Sequence, residues 1–182
     1  MKSPKFVTPN TLTIARILLI PFGVLALFYN GGTDSHWQII AWWIYFILGM
    51  TDIVDGRWAR KHNRTTALGA FLDPVADKAL IGSAMISLSM LDRFPWWITI
   101  LILFREIGIT IFRLVVIRGG VIPANKGGKL KTLMQNFGVG FFILPLPSWL
   151  TWFKSSFIAV AILLTITSGI SYLRSWSKSR AS

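Results

Sequence analysis

The sequence lacks cysteine, has few acidic residues and is low in charged residues overall. Cysteine is absent, which excludes a disulfide, a thiol nucleophile and a Cys-ligated metal site. Charged residues make up 14% of the 182 residues, whereas soluble domains carry about 25%. The composition therefore argues against an ordinary soluble domain. Only seven residues are acidic, and four of them lie close together in the chain: Asp52, Asp55, Asp73 and Asp77.

The abundant residues are apolar and basic. Apolar residues make up 53% of the chain and include nine tryptophans, which excludes a disordered chain. Nineteen basic residues against seven acidic ones give a net charge of +12. Such a balance is typical of proteins that meet nucleic acid or an anionic membrane surface. Because the chain is so apolar, we expect the cell membrane as its location and no nucleic-acid partner.

Six apolar stretches are candidates for membrane-spanning helices, each of which needs about 20 residues. The connections between them are short, so we expect one domain over residues 1–182. The fold class predicted is all-α, an integral membrane bundle of six transmembrane helices. The predicted spans are Leu12–Tyr29, Trp37–Val54, Pro74–Met90, Trp96–Ile117, Leu133–Pro147 and Ser155–Tyr172.

The cations between these spans predict the orientation of the chain. Thirteen of the nineteen fall in the segments on one side, and only Arg93 and Lys154 fall on the other. Positive charge accumulates on the cytoplasmic side of membrane proteins, so both termini are expected in the cytoplasm. The end of the second span and the start of the third then lie on the cytoplasmic side. All four clustered aspartates are therefore expected at one depth, in an active site that faces the cytoplasm.

The spacing of these aspartates favours a metal site. Asp52 and Asp55 are three residues apart. Asp73 and Asp77 are four apart, and both spacings place side chains on one helix face. Four carboxylates at one level repel one another, and hard divalent cations with oxygen ligands relieve that repulsion. On spacing alone two alternatives stay open: caps or ion pairs with nearby arginines, and a cation pathway in a channel or transporter.

A longer motif surrounds the same acids. It reads Asp52-Ile-Val-Asp55-Gly56-Arg57-Trp58-Ala59-Arg60, followed at fixed spacings by Gly69, Asp73 and Asp77. This stretch resembles the signature of the CDP-alcohol phosphotransferase family at all eight of its fixed positions. The resemblance implies a six-helix membrane enzyme that cleaves a CDP-linked donor and transfers its phosphoalcohol part to a second alcohol.

The resemblance also implies roles for individual residues. Two divalent cations, Mg²⁺ or Mn²⁺, would be held by Asp52, Asp55, Asp73 and Asp77. Asp77 would in addition act as the base that takes the proton of the acceptor hydroxyl. The donor, CDP-diacylglycerol, would be bound by Asn10, Thr13, Gly56, Arg60, Thr66 and Gly69.

A second basic set lies further along the chain and bears on the acceptor. Its members are Arg105, Arg113, Lys129 and Lys131. Together they could form a cationic pocket for an acceptor that carries its own phosphate. The alternatives are lysines that reach to the membrane surface, and a buried Arg105–Glu106 pair that satisfies both charges.

Three segments, one at the aspartates and two at this basic set, resemble one branch of the family, the enzymes that use sn-glycerol 3-phosphate as acceptor. The segments are Phe71–Lys78, Arg105–Ile107 and Gly128–Thr132. The reaction implied is transfer of a phosphatidyl group to glycerol 3-phosphate with release of CMP, as in bacterial phospholipid biosynthesis. Inositol phosphate and phosphatidylglycerol stay open as other acceptors within the family. A homodimer is also expected from the resemblance.

Overall fold

The computed structural model describes the backbone of residues 9–61, 67–116 and 126–181, and the side chains of residues 11–51, 72–111 and 130–170. The described residues form six α-helices and no strand. The all-helical prediction is therefore confirmed for this part of the chain. The helices are α1 Pro9–Phe28, α2 Ser35–Lys61, α3 Ala67–Met90, α4 Trp96–Val116, α5 Lys126–Ile143 and α6 Thr151–Ala181.

The helices differ from the predicted spans mainly at their ends. Helix α2 continues seven residues past Val54, and α3 begins at Ala67 instead of Pro74. Both extensions carry charged residues, which a search for apolar stretches does not include. Helix α5 ends at Ile143, four residues before the predicted Pro147. Prolines 145 and 147 follow that end, and two prolines so close together disfavour a helix because neither has the N–H that a helical hydrogen bond needs.

The turn between α1 and α2 depends on glycine and on a helix cap. Gly32 has a φ of +76°, and a Cβ built on it would lie 2.8 Å from a methyl group of Leu91. Both the backbone conformation and the space therefore require glycine here. Helix α2 then starts under an N-cap, because Asp34 Oδ1 accepts hydrogen bonds from the backbone N–H groups of His36 and Trp37 at 2.9 and 3.3 Å.

The described residues fall into two compact units. The first contains α1, α2, α3 and residues 143–145, and the second contains α4, α6 and the rest of α5. In the first unit α1 packs on both α2 and α3, and the Tyr45 and Ser83 hydroxyls lie 3.3 Å apart between α2 and α3. In the second unit α4 packs on α6. There α5 approaches α6 so closely that a Cβ on Gly138 would lie 2.5 Å from Ile158 Cδ1.

The apolar and polar residues are distributed as expected for a protein in lipid. Phe104 is 80% exposed and Leu18 is 65% exposed, whereas Arg16 and Lys131 are 2% and 3% exposed. By length and composition, two stretches of the described residues qualify as membrane-spanning helices, Thr11–Gly32 and Ser148–Ile170. The other helices carry the ionisable residues of the predicted sites. Many large apolar side chains are exposed, as on surfaces that contact a membrane or another protein.

The Arg93 side chain connects three segments of the first unit by hydrogen bonds. Helix α3 ends in a Schellman motif, with Asp92 at a φ of +54° and the Arg93 N–H bonded to the Leu88 carbonyl at 2.9 Å. This turn directs Arg93 Nη2 to the Gln38 side chain and to the carbonyls of Ile143 and Leu144, at 3.3, 3.5 and 3.4 Å. Burial lowers the pKa of Arg93, although an arginine stays protonated in proteins.

Replacing Arg93 with methionine is expected to destabilise the protein by about 1–3 kcal/mol, because three acceptors lose a charged donor. The measurement is the midpoint of thermal unfolding in detergent. Arg93→Lys is the graded control, since lysine keeps the charge but lacks the planar fork. It should recover only part of the loss. An unchanged unfolding midpoint in Arg93→Met would contradict the stabilising role of these hydrogen bonds.

Candidate active site

Helix α3 carries two of the four clustered aspartates on one face. The helix runs unbroken from Ala67 through Pro74, so Asp73 lies inside it and the alternative that Asp73 is its N-cap is wrong. Asp73 and Asp77 are thus one helical turn apart. Asp73 is exposed and Asp77 is half-buried. Asp52 and Asp55 lie on the same helix, α2, but their side chains are outside the described residues.

Helix α1 supplies a direct contact to this site. The Thr13 hydroxyl donates a hydrogen bond of 2.7 Å to Asp73 Oδ1, across the packing of α1 on α3. Thr13 is 2% exposed, so its hydroxyl is held in a fixed place. Arg16, one turn further along α1, is also fully buried. A buried cation needs hydrogen-bond acceptors or a counter-charge, and Arg16 lies on the helix that contacts Asp73 through Thr13.

The donor atoms present fit a hard divalent cation. The described part of the site contains carboxylate and hydroxyl oxygens, and the chain has no cysteine that would favour a softer metal. Asp73 Oδ1 accepts a hydrogen bond from Thr13, and a carboxylate has about four lone pairs. Among the described side chains no group of three or more His, Cys, Asp or Glu residues forms a complete metal site. The remaining predicted ligands, Asp52 and Asp55, are not among those side chains.

Most predicted donor-binding residues lie where the structure describes only the backbone. Asn10 is in the first turn of α1, Gly56 and Arg60 are in the last turns of α2, and Gly69 is in the first turn of α3. Thr66 lies outside the described residues altogether. Of this set, only Thr13 has a described side chain. Its hydroxyl contacts Asp73, so it also positions a predicted metal ligand.

A second polar cluster lies in the other unit, where α4, α5 and α6 come together. Glu106 Oε1 accepts hydrogen bonds from two cations, Arg105 Nη1 at 3.1 Å and Lys131 Nζ. The side chains of Lys131, Glu106 and Arg105 are 4%, 17% and 20% exposed. The structure therefore brings together Arg105 and Lys131, two of the four residues predicted to bind the acceptor phosphate. The side chains of the other two, Arg113 and Lys129, are outside the described residues.

Helix α6 contributes to this cluster in a way that sequence reasoning missed. Arg105 Nη2 donates a hydrogen bond of 2.7 Å to Ser168 Oγ. Within the same unit Gln135 on α5 is also buried, and its Oε1 has no hydrogen-bond partner among the described residues. In the sequence the C-terminal third is mostly apolar. The adjacent small residues Ser168 and Gly169 were the signal there, since they interrupt an apolar stretch.

Comparison with known proteins places the whole set of residues in one family. The family model described as CDP-alcohol phosphatidyltransferase matches residues 6–167. This range covers most of both units and includes every predicted site residue.

Individual relatives match over most of their own length. A protein of Mycobacterium tuberculosis H37Rv named probable phosphatidylglycerophosphate synthase is 51% identical over 164 residues, covering 90% of this chain and 78% of that protein. A protein of Bacillus subtilis 168 named CDP-diacylglycerol–glycerol-3-phosphate 3-phosphatidyltransferase is 40% identical, covering 97% of this chain and 99% of the relative. A Haemophilus influenzae protein with the same name is 38% identical, with 93% of each chain covered.

Proposed function

Because the chain belongs to the CDP-alcohol phosphatidyltransferase family, and so is a transferase of phosphate-containing groups, we propose that it transfers the phosphatidyl group of CDP-diacylglycerol to sn-glycerol 3-phosphate. The products are phosphatidylglycerophosphate and CMP, and the role is phospholipid biosynthesis. The observation that carries this proposal is the 40% identity to the Bacillus subtilis transferase over nearly the full length of both chains. A divalent-cation transporter is not favoured, since these relatives carry transferase names.

The reaction exchanges one phosphorus–oxygen bond for another. The oxygen of the free primary hydroxyl of glycerol 3-phosphate bonds to the phosphorus that carries the diacylglycerol. The bond from that phosphorus to the bridging pyrophosphate oxygen breaks, and CMP leaves with the electron pair. Asp77 takes the hydroxyl proton, the role for which a carboxylate near the reacting oxygen is suited. Positioning and charge neutralisation supply most of the rate in such transfers.

We propose that Asp52, Asp55, Asp73 and Asp77 hold two divalent cations, Mg²⁺ or Mn²⁺. Such ions neutralise the pyrophosphate and the leaving phosphate when bound. Thr13 orients Asp73 through the hydrogen bond to its Oδ1. Asn10, Thr13, Gly56, Arg60, Thr66 and Gly69 would line the CDP-diacylglycerol site. Arg16, one turn along α1 from Thr13, contributes a buried positive charge to the same helix.

The acceptor phosphate is proposed to bind at Arg105, Arg113, Lys129 and Lys131. The hydrogen bonds that gather Arg105 and Lys131 around Glu106 support this assignment, because two cations share a single carboxylate there. The cluster therefore keeps an excess positive charge. A phosphomonoester, which carries up to two negative charges, complements such an excess.

We also propose that all six helices cross the cytoplasmic membrane, with both termini and the active site on the cytoplasmic side. The distribution of the cations in the sequence supports this orientation. It would let the polar acceptor enter from the cytoplasm while the acyl chains stay in the bilayer. The single domain over residues 1–182 and the homodimer stay predictions.

The purified protein is expected to release CMP from CDP-diacylglycerol when glycerol 3-phosphate and Mg²⁺ or Mn²⁺ are present. The assay measures CMP by chromatography, with glycerol 3-phosphate, inositol phosphate, phosphatidylglycerol and serine compared side by side. Chelation of the metal should abolish release, and added Mg²⁺ or Mn²⁺ should restore it. Absence of CMP release with every acceptor would refute the transferase proposal. Faster release with another acceptor would refute only the choice of glycerol 3-phosphate.

A further inference from the structure

Helix α6 presents a serine and a glycine to the Arg105 guanidinium. Arg105 Nη2 donates to Ser168 Oγ at 2.7 Å, and that hydroxyl donates in turn to the Thr165 carbonyl of its own helix at 3.2 Å. The serine proton is thus directed to the α6 backbone, and the serine oxygen faces the arginine. A Cβ on Gly169 would lie 3.9 Å from Arg105 Nε. The glycine therefore leaves this edge of the guanidinium clear of a side chain.

The contacts of Arg105 with Glu106 and Ser168 fix the plane of its guanidinium and use only some of its N–H groups. One terminal nitrogen is held by Glu106 Oε1 and the other by Ser168 Oγ. A plane held at both ends cannot rotate about its long axis without breaking one bond. Arginine has five N–H donors, and these two contacts use two of them. Donors therefore remain for a ligand.

We propose that Ser168 is a positioning residue for acceptor binding, which holds Arg105 in the orientation that binds the acceptor's phosphomonoester group. This inference rests on the proposed function. Recognition of phosphate by arginine depends on the direction of the planar fork. Without the serine hydroxyl, Arg105 would be restrained by Glu106 alone, and Glu106 would compete with the phosphate for the same N–H groups.

Ser168→Ala is expected to raise the KM for glycerol 3-phosphate about fivefold or more, the effect of losing a hydrogen bond to a charged group. The KM for CDP-diacylglycerol and kcat at saturating acceptor should change by less than about twofold, because no contact to the donor is lost. Ser168→Thr keeps the hydroxyl and should restore the wild-type KM. The inhibition constant of inorganic phosphate against glycerol 3-phosphate should rise in parallel with the KM in Ser168→Ala.

The matched control is Thr167→Ala on the same helix. Thr167 is exposed, and its hydroxyl bonds only to carbonyls of its own helix, those of Leu163 and Leu164. This variant should leave both KM values unchanged. An unchanged acceptor KM in Ser168→Ala would overturn the inference. So would an equal rise of both KM values, which indicates a general structural role.

The inference and the proposed function can fail separately. If the wild type releases no CMP, the proposed function fails. Binding of inorganic phosphate to the purified protein can still be followed by a phosphorus-31 NMR titration. Weaker phosphate binding in Ser168→Ala than in Thr167→Ala supports the positioning role, and equal binding in the two variants refutes it.

Discussion

Replacing Asp77 with asparagine is expected to lower kcat by about 10²–10⁴-fold, the range in which general base catalysis contributes. Asparagine has nearly the shape of aspartate and keeps one carbonyl oxygen, but its amide cannot take the proton of the acceptor hydroxyl. Donor binding should therefore persist. The two measurements are CMP release at saturating substrates and retention of radiolabelled CDP-diacylglycerol by the purified variant.

The matched control is Asp92→Asn, which removes the same charge elsewhere. Asp92 is exposed in the turn after α3 and has a φ of +54°, a conformation that asparagine tolerates well. The kcat of Asp92→Asn should equal that of the wild type. Because Asp77 is also a proposed metal ligand, kcat should be compared at saturating Mg²⁺. Restoration of full activity there would assign Asp77 to metal binding alone, and a kcat within tenfold of the wild type would refute its role as base.

Replacing Glu106 with leucine is expected to destabilise the protein by about 3–5 kcal/mol, the cost of removing one partner of a buried ion pair. The Lys131 ammonium, with 4% of its side chain exposed, would lose its counter-charge. Arg105 would lose the same partner. The measurement is the midpoint of thermal unfolding in detergent, and it should fall further than in Arg93→Met.

A double-mutant cycle isolates the pair itself. Lys131→Met removes the cation, and the combination with Glu106→Leu leaves neither charge buried. The double variant should lose clearly less stability than the sum of the two single losses. Additivity within about 0.5 kcal/mol would mean that the two groups do not interact. Thr110→Val is the control on α4, since its hydroxyl bonds only to the Glu106 carbonyl of the same helix at 2.8 Å.

Local patterns were sufficient to predict the helices and to predict that each aspartate pair lies on one helix. Hydropathy locates an apolar helix because about 20 residues are needed to cross a bilayer. It fails where a helix continues into a polar stretch of sequence, as at the extension of α3 before Pro74. An Asp-Pro pair favours a helix start in sequence. Here Pro74 is inside the helix, where its missing N–H removes one hydrogen bond of the helix.

Contacts between distant residues could not be predicted from the same patterns. The Thr13 hydroxyl and Asp73 are 60 positions apart, and Arg105 and Ser168 are 63 apart. Their meeting depends on how α1 packs on α3 and α4 on α6, and helix periodicity gives only the face of each helix. The Arg105–Glu106 pair was foreseen as an alternative because the two are adjacent. Lys131 was predicted to lie in one pocket with Arg105, but its hydrogen bond to Glu106, which makes the pair a triad, was not.

The inverted distribution of polar and apolar side chains has a consequence for how such a chain diverges. At exposed positions such as Leu18 and Phe104, which are proposed to face lipid, charge should be rejected and many shapes of apolar side chain tolerated. At Arg16 and Lys131 the reverse holds, since both a charge and a fixed geometry are needed. Substitutions should accumulate on the outside, where they preserve only hydropathy. Related sequences should then share a small number of buried ionisable residues and differ mostly at exposed positions.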